Sequence, residues 1–199
     1  MGQMPGGEWI STQDAVMGVL VQALATTSVN RRMEIGTIYD LRRLPELGLS
    51  PHYVGNAATA RALNEETAVL ARSPLTLARS LRRLAATVTG ERVLADLRAI
   101  QARVAPSEAL RYMPSFIRRQ FADGLLLNNY SRFPIYRVDF GRGPPRWGDY
   151  PRLPLNRVIT ICPDPQGDGA AVHLTLPRAE LRRLILPRGV GSLHVVGRR

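Results

Sequence analysis

Beyond Gly124 the chain changes period, and that change limits its fold more than any other feature. Four short runs follow one another: "LLLNNY", "IYRVDF", "RVITICP" and "AVHLTLP". Turn residues separate them, including Pro165-Gln166-Gly167-Asp168-Gly169. Runs of this length and composition predict strands. Upstream the period is helical instead. Ser11-Thr12-Gln13-Asp14 offers a capping hydroxyl and an acid beside the positive end of a helix dipole. Val16, Val19, Leu20, Ala23 and Leu24 then share one face, flanked by Met17 and Val21. That breadth predicts a well-buried helix fading near Thr26-Thr27-Ser28. A chain that mixes the two periods folds as an α/β layer structure, a mixed β-sheet flanked by helices.

The middle of the chain fits the same plan. In "MEIGTIYDLR", residues 33–42, Ile35, Thr37, Tyr39 and Leu41 alternate as on a strand. "RLPELGLSP" is a loop, and "HYVGNAATA" begins like a short strand with a turn at Gly55-Asn56. Ser73-Pro74 starts a helix with a cap and a proline in its first turn. Leu77, Leu81, Leu84, Ala85 and Val88 form its stripe, and Gly90 interrupts. A second helix carries Val93, Leu97, Ile100 and Val104 and ends before Pro106. A third helical piece is expected over 107–122. Pro177 opens a short helix with Leu181, Leu184 and Ile185.

With 199 residues, 45% of them hydrophobic, the chain can bury the core of a single domain. No apolar run approaches the ~18 residues of a membrane span. Met1 to Gly7 lacks the basic and apolar regions of a secretory signal. The lone Cys162 rules out an internal disulfide. Together these features fit a cytoplasmic protein without a membrane partner.

The net charge of +11 raises nucleic acid as a partner, since clustered arginines neutralise phosphates. All 27 basic residues are Arg, and they are scattered in pairs such as Arg31-Arg32, Arg82-Arg83 and Arg182-Arg183. Aromatics are 6% of the chain and do not form a base-stacking pattern among them. The charge therefore reads as a solvated basic surface, compatible with an anionic small ligand.

Other chemistry is excluded motif by motif. Asp139-Phe140-Gly141 matches the kinase triplet whose Asp holds Mg²⁺, but a kinase also needs a strand lysine and an H-R-D loop. This chain has no lysine, and neither His52, His173 nor His194 is followed by Arg-Asp. No acid or cysteine stands at a ligand-like spacing from a histidine, so no metal site is expected. Cys162 lies in an apolar strand, as a small buried hydrophobe would. No serine occupies a G-x-S-x-G elbow.

Taken in order, these segments resemble the C-terminal half of the BAHD-type acyltransferases. The resemblance rests on "ISTQDAVMGVLVQAL", a capped helix, and on Asp40-Leu41-Arg42, a D-x-R pattern on a strand. It continues through "HYVGNA", a helical region, Asn128-Asn129-Tyr130, "SRFPIYRV" and Asp139-Phe140-Gly141-Arg142-Gly143. It spans nearly the whole chain. Arg142 stands where the family's D-F-G-W-G has tryptophan. The family's catalytic H-x-x-x-D, carried by its N-terminal half, has no counterpart among the three histidines.

The resemblance implies half of a chloramphenicol-acetyltransferase-like architecture. Residues 1–199 would be a single domain whose catalytic-motif partner domain is absent. It implies acyl-CoA as co-substrate, no bound cofactor and a small-molecule acceptor bearing a hydroxyl or amine. A separate N-terminal half would supply the base, leaving this chain inactive alone. Asn128, Asn129 and Tyr130 would border the acceptor pocket. Asp139 would pair with Arg42 as a structural clasp, with Phe140, Gly141 and Gly143 completing its loop. A non-catalytic subunit that docks on an acyltransferase half is the alternative, and charge-driven nucleic-acid binding is a third.

Overall fold

The helix expected after Ser11 forms, and its first turn shows why. In the computed structural model, Ser11 Oγ accepts the Asp14 amide at 3.1 Å, and the Asp14 carboxylate accepts the Ser11 amide at 3.0 Å. This reciprocal box satisfies donors that a helix end leaves open, and it starts α1 at Thr12–Thr27. The structure describes residues 9–103, 124–148, 157–165 and 169–185.

Five strands form one mixed sheet. They are β1 (Arg32–Asp40), β2 (Ala58–Glu66), β3 (Leu125–Asn129), β4 (Val158–Pro163) and β5 (Ala170–Thr175), in the order β2-β1-β3-β4-β5. The outer pairs β2/β1 and β4/β5 are antiparallel, whereas β1/β3 and β3/β4 are parallel. Parallel neighbours require long crossovers. The one from β1 to β3 carries β2, α2 (Thr67–Arg72), α3 (Pro74–Ala86) and α4 (Gly90–Arg103). Helix α5 (Arg178–Ile185) follows β5.

The core lies on one face of the sheet. Met17, Val21 and Leu24 of α1, Leu70 of α2, Leu77 and Leu81 of α3, and Leu184 of α5 pack there. They meet Met33 and Ile35 of β1, Leu125 and Leu127 of β3, and Ile159 and Ile161 of β4. Period-two alternation sends the intervening residues to the opposite face. Helices α1 and α3 touch closely at Gly18, where a Cβ would stand 2.3 Å from the Pro74 carbonyl oxygen. A smaller cluster of Leu41, Ala57 and Val93 ties α4 to the turns after β1.

Two expectations change. "HYVGN" is loop, and the strand begins only at Ala58. That strand, β2, pairs with β1 along its full length although its sequence is mostly polar. The run "IYRVDF" is not a strand: Ile135–Arg137 is a 3₁₀ turn and residues 138–140 are exposed. The reason is topological, because β3 already has a strand on each side and offers no edge to the segment that follows it. Pro134 also removes a donor at the start of the run. The helical piece expected over 107–122 lies outside the described residues.

Candidate functional site

The two central parallel strands end where the candidate site begins. In open sheets with parallel strands, ligands bind beyond the carboxyl ends of the strands. Asn128 and Asn129 close β3, and Tyr130 follows directly, its amide donating to the Ile161 carbonyl of β4 at 2.7 Å. The three side chains divide their work. Asn128 is buried on the face away from the helices, and its Nδ2 donates to the Tyr130 hydroxyl at 2.8 Å. Asn129 Oδ1 instead accepts the Ser131 amide at 2.8 Å and turns the chain out of the strand. The Tyr130 ring leans on Phe133, with centroids 4.8 Å apart.

The sheet register adds two residues that the sequence did not single out as part of this group. Thr160 of β4 is the register partner of Asn128, and His173 of β5 is the partner of Thr160. They are separated from Asn128 by 32 and 45 residues along the chain, so only strand pairing assembles them.

The expected clasp is replaced by two local ones. Arg42 donates to Asp40 Oδ1 at 2.9 Å, to the Tyr53 carbonyl at 2.9 Å and to the Gly55 carbonyl at 2.8 Å. Asp139 Oδ1 accepts the amides of Gly141, Arg142 and Gly143 at 2.7, 3.1 and 2.9 Å. Gly141 and Gly143 take φ of +92° and +90°, a left-handed region that other residues resist. Asp139 thus caps its own loop, and Phe140 at its tip is 93% exposed. Local geometry wins in each case. Asp40 lies two residues from Arg42, and the loop amides converge on Asp139 without any long-range contact.

Two ionisable groups on β1 are shifted. At Asp40, burial pushes the carboxyl up, but hydrogen bonds from the Arg42 amide and guanidinium, with that group's charge, outweigh it and hold the pKa below its ordinary value. The Tyr39 phenol is pushed up to about 12 by burial and by the nearby Asp14 carboxylate. At the far end of β4, the buried Arg157 pairs with Glu180 of α5 and has a φ of 58°. Cys162 is buried on β4. Among the described residues no three His, Cys, Asp or Glu side chains group as a metal site, and no helix is long and apolar enough to cross a membrane.

A mixed sheet with helices on one face has known counterparts. The model of the Transferase family matches residues 15–185. The chain belongs to that family. It is similar to F. graminearum TRI101, solved with coenzyme A and deoxynivalenol, at 20% identity and a TM-score of 0.70 over 92% of this chain and 42% of that one. It is also similar to vinorine synthase, at 15% identity and a TM-score of 0.64 over 88% of this chain and 40% of that one. An acetyl-CoA-benzylalcohol acetyltransferase of Clarkia breweri is 36% identical over 56 residues, 28% of this chain and 13% of that protein. The BAHD-like resemblance and the mixed-sheet fold expected from the sequence are borne out. The chain spans only a part of each of these proteins.

Proposed function

We propose that this chain is the C-terminal half of an acyltransferase that moves an acyl group from acyl-CoA to a hydroxyl or amine. The observation that carries this reading is the Asn128–Tyr130 pair at the carboxyl end of β3, within a fold shared with acyl-CoA-dependent enzymes. Acyl transfer joins the acceptor oxygen or nitrogen to the thioester carbon, forms an oxyanion, and then breaks the C–S bond. A base must take the acceptor proton, and an acid must return one to the leaving thiolate. No H-x-x-x-D lies within these residues, so in this reading the base comes from an N-terminal half that carries the motif, and the two work together in the cytoplasm. This chain contributes hydrogen-bond donors. An asparagine amide has two N–H groups, and Asn128 uses one on Tyr130, which leaves the geometry for a second toward an oxyanion. In an assembled enzyme, Asn128→Leu should lower kcat about 10²-fold, as removal of an oxyanion donor does. An unchanged kcat would remove Asn128 from the chemistry.

One observation favours a second reading, a docking subunit without catalysis. Phe140 is 93% exposed and Trp147 66% exposed, and Phe133 and Val138 of the same stretch of chain are exposed as well. Several large apolar side chains exposed within one short stretch favour a surface that another protein covers. Stable co-purification with a complete acyltransferase, without any gain in turnover, would favour that reading.

A further inference from the structure

Helix α4 is anchored to the body at its first turn and then leaves it. Val93, 3% exposed, sits in the small cluster with Leu41 and Ala57, and Gly90 packs against Glu46. From Leu94 to Ala102 every residue is exposed. Three of these are large and apolar: Leu94 is 36% exposed, Leu97 48% and Ile100 47%. At about 100° per residue they form one stripe with Leu97 at its middle. Helices this short are marginal in water on their own, so such a stripe is stable when something covers it. The charges beside the stripe identify the cover. Asp96 on one flank pairs with Arg61 of β2, so that flank faces the body. Glu91 and Arg98 stand on the other flank, two turns apart, and among the described residues neither has an ion-pair partner. A helix with an acid in its first turn and an arginine two turns later on the same flank complements a reversed copy of itself. Two copies laid antiparallel about an axis near Leu97 bring each Glu91 within reach of the other copy's Arg98 and cover the stripe. Laid parallel, they would set like charges side by side. The antiparallel pair also keeps the two bodies apart, because each is fastened at the first turn of its own helix. Separation matters for a chain of net charge +11.

We propose that the exposed stripe of α4 is a self-association surface, covered by α4 of a second copy of this chain in antiparallel orientation. This surface is independent of the acyl-transfer reading and is tested without any substrate. About four turns of helix offer little area, so the dimer is weak and forms as concentration rises. The experiment is sedimentation equilibrium on the whole chain from about 10 μM to about 1 mM. The mass should rise from 22.0 kDa toward twice that value. Leu97→Glu places a charge against its own copy at the axis and should weaken the dimer at least about tenfold, with circular dichroism showing the fold unchanged. Glu91→Arg and Arg98→Glu each set like charges together and should each weaken it about two- to fivefold. An equimolar mixture of those two variants should associate at least as well as the parent chain, because opposite charges meet again in the mixed dimer. A general loss of structure would not reverse on mixing, so the mixture decides the matter even where Leu97→Glu disturbs the helix. A single-chain mass at every concentration would overturn the proposal. So would a dimer that Leu97→Glu leaves intact, or one that mixing the charge variants fails to restore. A chain that stays monomeric yet binds an H-x-x-x-D-bearing half through α4 would overturn it in favour of that other occupant.

Discussion

Replacing Arg42 with alanine should destabilise the chain by about 2–3 kcal/mol, and almost none of that loss should involve Asp139. The guanidinium bridges β1's end to the loop before β2 through the Tyr53 and Gly55 carbonyls, and it also meets Asp40. Hydrogen bonds to a charged group contribute about 1.5–3 kcal/mol each when buried. The Arg42 side chain is 27% exposed, so solvent lowers this below that range, to about 1 kcal/mol for each carbonyl. The Asp40 ion pair is more exposed and adds about 0.2–1 kcal/mol. Asp139 spends its carboxylate on its own loop, so a double-mutant cycle between Arg42→Ala and Asp139→Ala should show a coupling within about 0.5 kcal/mol of zero. The same cycle with Asp40→Ala should show a positive coupling. Urea unfolding reads all three, provided the m-value stays constant across the variants. A coupling above about 1 kcal/mol between Arg42 and Asp139 would refute the reasoning.

Further consequences follow from β1 and from the α1–α3 contact. Tyr39 has a folded pKa of about 12, above its ordinary value of 10.0, so its contribution is complete below pH 10 and is lost as pH rises toward 12. Tyr39→Phe should flatten the fall in stability over that alkaline window, and an unchanged slope would contradict the shift. Gly18→Ala places a Cβ against the Pro74 carbonyl and should cost about 1–3 kcal/mol as overpacking, despite alanine's better helix propensity. A raised Tm for that variant would mean that the two helices yield freely.

Elements whose cause is local were legible in the sequence. Ser11 and Asp14 announce α1, and Ser73-Pro74 announces α3, because capping acts within a few residues. The apolar run of β4 and the leucines of β3 declare buried strands. Strand β2 was hidden because an edge strand paired on one side needs few apolar residues, and only Leu63 of β2 reaches the main core. "IYRVDF" has the composition of a strand, yet composition cannot reveal that both sides of β3 are already taken. The same limit governs the site. Asn128 and Tyr130 stood out as neighbours in sequence, while Thr160 and His173 join them only through register, which no local pattern encodes. The Arg42–Asp139 pair failed for a related reason, since each residue has nearer partners that only the folded loops present.

On the function proposed above, this chain forms one wall of an acyltransferase whose base lies on the H-x-x-x-D half. The direct test mixes the purified chain with an H-x-x-x-D-bearing half of the same family and follows thiol release from acetyl-CoA in the presence of benzyl alcohol. Neither half alone should release thiol, and the two together should release it only when the acceptor is present. Turnover by this chain alone, or a stable complex of the halves that releases no thiol with any alcohol or amine acceptor, would contradict it.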